Sequence, residues 1–262
     1  GLNIDFEELT LETGVHYVQF LRELSIQCRN NGLVFSIDNY VPFHFNDYYR
    51  LDVQGQVADY VIIMGYDEHW HGSGDPGSVA SIDYVKGGIE RTMEEVPAEK
   101  IVNALPFYTI LWKIDGAKVT DDYLTLNNTA DFMNRVGVKA QWDEETCQNY
   151  AEWTSGSATY QIWLEDVESI NVKLNVMNAH NIGGVAVWRL GYGTSAAGGG
   201  GGGWGGAGSG ITISGGTAEI YGGEGYEGIS AENLTISGGT VTVGGKEQAI
   251  EAENITITGA TT

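Results

Sequence analysis

Short apolar runs alternate with helix-like segments through the first 193 residues, and this alternation restricts the possible folds more than any other feature of the chain. The apolar runs have the length of buried strands and lie at 2–6, 33–37, 60–64, 101–106 and 184–188. Apolar residues at helical spacing predict helices between them, at 13–31, 81–94 and 168–180. Strands that are apolar on both faces and separated by helices are typical of a parallel sheet, so the sequence predicts an α/β fold.

Two changes of pattern divide the chain further. Residues 111–160 depart from the alternation and are predicted to form an inserted α+β element. Near residue 195 the aromatic-rich sequence ends, and unbroken glycine at 198–203 precedes a region of Gly, Thr, Ile and Glu. We therefore expect three parts: a domain at 1–193, a glycine-rich linker at 194–210 and a repetitive tail at 211–262.

The tail repeats a short phrase. Ile-Thr-Ile-Ser-Gly-Gly-Thr at 211–217 returns as Leu-Thr-Ile-Ser-Gly-Gly-Thr at 234–240 and in part as Ile-Thr-Ile-Thr-Gly at 255–259. The offsets, 23 residues from 211 to 234 and 21 from 234 to 255, match one coil of a parallel β-solenoid. The apolar residues expected to stack inside such coils are Ile211, Ile213, Leu234, Ile236, Ile255 and Ile257.

Charge and cysteine content exclude several kinds of partner and cofactor. The chain has 13 basic and 35 acidic residues, a net charge of −22 and no basic cluster, so we expect no nucleic-acid partner. Its apolar runs are too short to span a bilayer. Cys28 and Cys147 make neither a disulfide framework nor a metal knuckle, and the close pair His69 and His71 has no third ligand nearby in sequence. We predict no metal, no cofactor and a monomeric chain.

An acidic pair lies at the end of the first apolar run. Residues two apart in a strand project to the same face, so Asp5 and Glu7 are expected to point one way and Ile4 and Phe6 the other. Two carboxyl groups held side by side in apolar surroundings titrate apart, which is how an acid and base pair arises. For an isolated pair the alternative is a solvent-facing strand end. The other candidate polar residues also fall at carboxyl ends of strands, where (β/α)8 barrels assemble their active sites.

Ordered motifs along the chain resemble glycoside hydrolase family 18. Gly1-Leu-Asn-Ile-Asp-Phe-Glu7 resembles the end of that family's fourth barrel strand, D-G-x-D-x-D-x-E, and Met64-Gly-Tyr-Asp67 is similar to its sixth-strand motif M-x-Y-D. Further segments are similar to a bacterial subgroup with spore-cortex and peptidoglycan-hydrolysing members, at 68–70, 74–77, 79–81, 105–108, 111–112, 160–166 and 183–191. The resemblance covers residues 1 to about 193 and implies a partial (β/α)8 TIM barrel of about strands four to eight.

The resemblance also implies a reaction, the retaining hydrolysis of β-1,4 bonds next to N-acetylglucosamine with the substrate's acetamido oxygen as nucleophile. Glu7 would be the general acid and then the base, Asp5 would hold the acetamide N–H and stabilise the oxazolinium ion, and Tyr66 would orient the acetamide oxygen. The implied sugar-binding residues are Asn3, Asp67, Tyr108, Trp188 and Trp70. Packing in the core or loops is the alternative for the aromatic residues, and a turn or N-cap role is the alternative for Asp67.

Three departures from the family pattern bear on these expectations. Asn3 stands where the motif has its second Asp and can act only through hydrogen bonds, and Ile110 stands where related sequences often have Arg. Barrel strands one to three have no counterpart in the chain, so we expect the 262-residue chain to be poorly stable and close to inactive by itself.

Three functions are open at this point. The first is a glycosidase acting on N-acetylglucosamine-containing polymers, peptidoglycan or chitin, outside the cell or at a cell or spore surface. The second is a non-catalytic carbohydrate-binding relative, and the third is a structural surface protein in which the repetitive tail is the working part. Glu7 and Asp5 favour the glycosidase, because lectin-like relatives typically replace the acid.

Overall fold

The computed structural model describes residues 1–189, 191–193, 210–213, 217–221, 229–236, 240–244 and 250–258. The chain divides into two units, one of residues 1–125 with 133–189 and one of residues 126–132 with 190–262. The predicted linker at 194–210 lies outside the described residues except for Gly210, which begins a strand. Residues 191–193, just before the linker, are described.

The five predicted strands and three predicted helices occur in the predicted order, although the second strand lies at Phe35–Tyr40 and not at 33–37. Two further 3-10 turns lie at His44–Tyr49 and Ala98–Lys100. In chain order the elements are β1 (Leu2–Ile4), α1 (Leu11–Asn30), β2 (Phe35–Tyr40), α2 (Leu51–Val57), β3 (Tyr60–Met64), α3 (Ile82–Met93), β4 (Ile101–Pro106), β5 (Tyr108–Asp115), β6 (Lys118–Thr125), α4 (Leu126–Val136), β7 (Gln141–Asp143), β8 (Gln148–Ser155), β9 (Ala158–Leu164), α5 (Val167–Ala179) and β10 (Gly184–Trp188).

A five-stranded parallel sheet in the order β1-β2-β3-β4-β10 forms the centre of the first unit. The α/β prediction is therefore confirmed, and β3, β4 and β10 have the predicted bounds. The prediction for the first strand was too long, because β1 ends at Ile4, before both acids. Since all five strands run the same way, their carboxyl ends lie along one edge of the sheet.

Helix α1 covers one face of this sheet. Thr10 caps it, with its side-chain oxygen accepting a hydrogen bond from the backbone N–H of Thr13 at 3.3 Å. The predicted apolar stripe is confirmed, because Val18, Leu21 and Cys28 are buried. Gly32 follows the helix with φ of +65°, a left-handed conformation that favours glycine.

Strand β2 separates the core from the candidate site. Phe35 and Ile37 are at most 1% exposed and pack in the core beneath α1. Ser36, Asp38 and Tyr40 alternate with them and are less buried, so they project to the opposite face. The period of two thus places a carboxyl and a phenol on the side of the sheet where polar groups collect.

The predicted α+β insertion is confirmed as an antiparallel sheet, in the order β6-β5-β9-β8-β7, with helix α4. The sheet begins at Tyr108 and ends at Leu164, so it extends beyond the predicted 111–160. Trp112 is fully buried and its indole N–H donates a 2.9 Å hydrogen bond to the carbonyl of Gly77. Trp112 therefore packs against the loop after β3.

The described residues of the second unit form five short strands, β11 (Gly210–Ile213), β12 (Thr217–Tyr221), β13 (Ile229–Ile236), β14 (Thr240–Gly244) and β15 (Ile250–Ile257). Strands β11, β13 and β15 form one parallel sheet, and β12 and β14 form another. The pairing follows the sequence repeat, because Ile211 lies opposite Leu234, which lies opposite Ile255. Of the residues predicted to stack inside the coils, Ile257 is 46% exposed, which contradicts the prediction there, and the side chains of the others lie outside the described residues.

Candidate active site

The two acids that follow β1 lie beside the carboxyl end of β2. Asp5 and Glu7 both line a cleft at this edge of the sheet, although neither belongs to a strand. The hydroxyl of Tyr40, the last residue of β2, donates a 2.8 Å hydrogen bond to Oε2 of Glu7. The two residues are thus joined across neighbouring strand ends.

The turn that carries Glu7 is anchored to helix α1 and to the 3-10 turn at 44–49. The hydroxyl of Tyr49 donates to the carbonyl of Phe6 and accepts from the backbone N–H of Leu9, both at 3.3 Å. The Phe6 ring stacks on Phe20 of α1 with 5.7 Å between centroids. Because the residues on both sides of Glu7 are anchored, its carboxyl is directed towards the strand ends.

The segment after β3 adds a phenol and a third acid. Gly65 is required there, since a Cβ at this position would lie 2.6 Å from Nδ2 of Asn103 and 2.9 Å from the carbonyl oxygen of Ala104. Asp67 has φ of +60°, and its Oδ1 accepts a hydrogen bond from the hydroxyl of Tyr108. The sharp turn after Met64 therefore directs residues 66 and 67 to the cleft.

One cleft of about 190 Å³ collects these groups. Trp188, at the end of β10, supplies an indole that is 47% exposed. The lining residues come from the ends of β1, β2, β3 and β10, and they are Asp5, Glu7, Asp38, Tyr40, Met64, Tyr66, Asp67 and Trp188. Four carboxyl groups, two phenols and an indole thus face one space.

The surroundings raise the pKa of three of these carboxyl groups. Desolvation is the largest cause for Asp5, Asp38 and Asp67, and the negative charge of Glu7 raises the pKa of each further. Hydrogen bonds oppose the shift at Asp38, from Asn3, and at Asp67, from Tyr108. Asp5 and Asp67 are exposed in the cleft, so solvent screens part of the effect there, whereas Asp38 is half-buried.

The phenols of the cleft are hydrogen-bond donors. Desolvation, together with neighbouring carboxylates, raises the pKa of Tyr66 and of Tyr40 above the ordinary value for tyrosine. Both hydroxyl groups therefore keep their protons at physiological pH. A protonated phenol facing the cleft can donate to a carbonyl oxygen but cannot act as a base there.

Five of the eight residues singled out in the sequence lie together in this cleft: Asp5, Glu7, Tyr66, Asp67 and Trp188.

The other three lie elsewhere. Asn3 hydrogen bonds to Asp38, Tyr108 is buried behind Asp67, and Trp70 is 55% exposed outside the lining residues. Sequence reasoning missed three lining residues, Asp38, Tyr40 and Met64. The available signal was the position of Asp38 directly after the apolar run at 33–37.

No metal or membrane segment is evident in the described part of the chain. His69 and His71 contact different acids, Asp75 and Asp121. Within the described ranges, no three His, Cys, Asp or Glu side chains are arranged to hold a metal ion. Among the helices that the structure describes, none combines the length and the apolar character needed to cross a bilayer.

Comparison with known proteins identifies the family. YdhD of Bacillus subtilis is 28% identical over 202 residues, which cover 74% of this chain and 47% of YdhD. A cortical fragment-lytic enzyme of the same species is 26% identical over 203 residues, covering 72% of this chain and 46% of the enzyme. The crystal structure of a chitinase from Chromobacterium violaceum matches with a TM-score of 0.67 and 26% identity, covering 73% of this chain and 62% of the chitinase.

The chain spans about half the length of the curated relatives it matches. Its parallel sheet and crossover helices correspond to the TIM-barrel-like α/β fold of the matching crystal structures. The family model of the glycosyl hydrolases of family 18 matches residues 1–193. The chain therefore belongs to family 18 of the glycosyl hydrolases.

Proposed function

We propose that the protein hydrolyses β-1,4 bonds next to N-acetylglucosamine in cell-wall polymers, with retention and with the substrate's acetamido group as nucleophile. The observation that carries this proposal is the single cleft lined by Asp5, Glu7, Tyr66 and Trp188. Such a reaction needs an acid, a second carboxylate, a phenol donor and an apolar platform. The names of the relatives, a cortical fragment-lytic enzyme and a chitinase, support the same substrate class.

In the first step, Glu7 gives its proton to the glycosidic oxygen as the bond from that oxygen to C1 breaks. The acetamido carbonyl oxygen attacks C1 from the opposite face, and an oxazolinium ion forms. Asp5 accepts a hydrogen bond from the acetamide N–H and its negative charge stabilises the ion. Tyr66 donates to the acetamide oxygen and holds it for attack, a role suited to a phenol with a raised pKa.

In the second step, the carboxylate of Glu7 takes a proton from water, and the resulting hydroxide oxygen attacks C1. The bond from C1 to the acetamide oxygen breaks, the acetamido group is regenerated and Glu7 is protonated again. Two inversions at C1 give net retention. One side chain therefore serves as acid and then base, and Tyr40 holds it in place through both steps.

The remaining cleft residues fit sugar binding. Trp188 offers the face of its indole as a floor, and sugar rings pack on such apolar surfaces through their C–H groups. Asp67, whose carboxyl is positioned by Tyr108, accepts a hydrogen bond from a sugar hydroxyl. Asn3 acts through Asp38 and not by touching the sugar, and Trp70 lies where it can contact a more distant sugar of a polymer.

Two further parts of the proposal concern the rest of the protein. The parallel sheet has β1 and β10 at its edges. A closed barrel needs further strands between these edges, so we expect the 262-residue chain alone to have little activity. The tail at 211–262 forms coils of a β-solenoid that follow the catalytic domain at 1–193 and space or present it at a cell or spore surface. The register of β11, β13 and β15 supports this.

The decisive experiment uses an extended protein, in which the barrel segment preceding the matching region of the Bacillus subtilis cortical fragment-lytic enzyme is fused ahead of Gly1. We expect it to release soluble products from peptidoglycan or chitin, with the β-anomer formed first. Glu7→Gln should lower kcat by about 10²–10⁴-fold and leave substrate binding intact. Glu12→Gln, on the exposed first turn of α1, is the matched control.

Unchanged turnover in Glu7→Gln, or the α-anomer as the first product, would contradict the mechanism. Binding of both polymers by the extended protein without any turnover would instead support a non-catalytic carbohydrate-binding protein.

A further inference from the structure

Asp5 and Asp38 are the first residues beyond the paired part of β1 and β2. The parallel register of β1 and β2 places Asn3 opposite Ser36 and Ile4 opposite Ile37. The next residues are Asp5, which directly follows β1, and Asp38 of β2, so the two are neighbours where the pairing ends and the strands lie about 5 Å apart. Both line the cleft with Glu7.

Asn3 forms a hydrogen bond to one of the two carboxyl oxygens of Asp38. The Oδ1 of Asn3 accepts a 2.6 Å hydrogen bond from the hydroxyl of Ser36. Its amide nitrogen therefore points towards Asp38, two residues further along β2. That nitrogen donates a 2.8 Å hydrogen bond to Oδ2 of Asp38. Asp38 is thus held at one oxygen by a neutral donor, which leaves Oδ1 for another interaction.

The second oxygen of Asp38 is buried and has no hydrogen-bond partner among the described residues. The ionisable groups that face Asp38 are the carboxyl groups of Asp5 and Glu7 and the phenols of Tyr17, from α1, and Tyr66, after β3. None of these is a cation. A buried carboxylate oxygen without a donor, next to two further acids, is costly, and a proton on that oxygen relieves both the lost hydration and the repulsion.

We propose that Asp38 is a positioning residue of the site, which holds a proton on Oδ1 and donates it in a hydrogen bond to Asp5. The proposal rests on the proposed function and adds a residue to it. Asp5 then remains the charged member of the pair, with one oxygen accepting from Asp38 and the other left for the acetamide N–H of the substrate. Burial and the charges of Asp5 and Glu7 raise the pKa of Asp38, in agreement with this arrangement.

The first test follows the carboxyl groups directly. The extended protein is labelled with ¹³C at the aspartate carboxyl carbons, and signals are assigned by substitution. We expect Asp38 to stay protonated at pH values where the aspartate of an unstructured peptide is already ionised. Asp5→Asn should lower the pKa of Asp38, because it removes a like charge. Ionisation of Asp38 together with the peptide aspartate, or no response to Asp5→Asn, would overturn the proposal.

The second test separates positioning from folding in the extended protein, with chitin oligosaccharides as substrate. Asp38→Ala removes the donor and should lower kcat by about 10- to 100-fold with KM changed less than about threefold. Asp38→Asn keeps a neutral donor of the same shape, since its carbonyl oxygen can accept from Asn3 while its N–H faces Asp5. It should therefore retain kcat within about threefold of wild type.

If Asp38→Asn is as impaired as Asp38→Ala while both variants melt like wild type, a charged Asp38 is required and the proposal is wrong. Glu7→Gln, measured in parallel, keeps the two hypotheses apart. If Glu7→Gln is inactive and Asp38→Ala turns over normally, only the role of Asp38 is lost. If Glu7→Gln turns over normally, the proposed function itself fails.

Discussion

The phenol of Tyr40 donates a 2.8 Å hydrogen bond to Oε2 of Glu7, which links the end of β2 to the turn that follows β1. The Tyr40 ring packs edge-on against Tyr49, with 6.0 Å between centroids, and Tyr49 hydrogen bonds to the backbone of Phe6, next to Glu7. Two tyrosines thus act on the same short turn, one on the carboxyl group and the other on the backbone. The general acid proposed here depends on contacts from outside its own strand.

Replacing Tyr40 by Phe removes the hydrogen bond and keeps the ring packing. We expect kcat of the extended protein to fall about 5- to 30-fold with little change in KM, because a carboxyl that loses one hydrogen bond of about 1–2 kcal/mol leaves its productive orientation more often. Steady-state kinetics on chitin oligosaccharides would measure this. Tyr60→Phe, at the opposite end of β3, is the control. Equal kinetics for both variants would show that Tyr40 does not position Glu7.

Local sequence pattern was sufficient for much of the sheet. Strands β3, β4 and β10 were predicted with their observed bounds, because β3 and β10 are continuous apolar runs bounded by polar residues or glycine and β4 is apolar except for Asn103. Helix α1 was predicted nearly as well, since its buried stripe repeats at helical spacing and Gly32 follows it. In such cases the residues that determine an element lie inside it or next to it.

The parts of the site that depend on contacts between distant segments could not be predicted. Asp38 reaches the cleft because β1 and β2 pair in a register that brings it beside Asp5, and no short motif encodes that register. Tyr40 was missed for the same reason. Gly65 is required only because Asn103 and Ala104 approach it from β4, about forty residues away in sequence.

The stability of the protein should depend on pH through Asp38. Burial raises its pKa in the folded state, so the folded protein binds this proton more tightly than the unfolded chain. The stabilising effect of the proton is complete below the unfolded pKa and is lost as pH rises through the folded pKa. The Asp38→Asn variant has no titrating proton at this position, so it does not lose stability in this way. Its melting temperature should therefore match that of wild type near pH 4 and exceed it increasingly towards neutral pH.

Thermal unfolding of the extended protein, followed by circular dichroism across this pH range, would measure the difference. Asp115→Asn, at the exposed last residue of β5, is the matched control for the loss of an aspartate carboxyl group. A constant offset between Asp38→Asn and wild type at every pH would show that Asp38 titrates alike in the folded and unfolded states.

Trp188 and Trp70 should contribute differently to sugar binding. Trp188 lines the cleft with the acids, whereas Trp70 is outside it and 55% exposed. Removal of a stacked indole exposes apolar surface of the bound sugar, so Trp188→Ala should weaken binding by about 1–3 kcal/mol, or roughly 5- to 150-fold. Trp70→Ala should have an effect only with longer oligosaccharides.

Calorimetric titration of the Glu7→Gln extended protein with oligosaccharides of two to six sugars would measure both effects without turnover. Trp153→Ala is the control, because Trp153 stacks on Tyr160 in the insertion at 5.3 Å. A larger loss of affinity for Trp70→Ala than for Trp188→Ala would show that the sugar does not rest on the indole of residue 188.

A buried ion pair joins helix α5 to the segment before it. Lys173 and Glu165 are both almost fully buried, and the ammonium group of Lys173 donates to Oε1 of Glu165. Gln148 donates to the same oxygen at 2.7 Å, and the hydroxyl of Ser169 donates to Oε2 at 3.1 Å. Burial raises the pKa of Glu165 and Lys173 opposes this shift, so removal of Lys173 leaves the carboxyl group of Glu165 in the interior without a cation.

Lys173→Met should therefore destabilise the extended protein by about 3–5 kcal/mol in urea unfolding monitored by tryptophan fluorescence. The double variant Glu165→Gln/Lys173→Met should regain more than half of this loss, because the uncompensated charge is then gone while a side chain that can accept hydrogen bonds remains. Lys86→Met is the matched control. Its ammonium group pairs with Glu90 at 3.8 Å on the surface, where such pairs contribute about 1 kcal/mol at most. Equal losses for Lys173→Met and Lys86→Met would mean that the buried pair contributes no more than a solvated one.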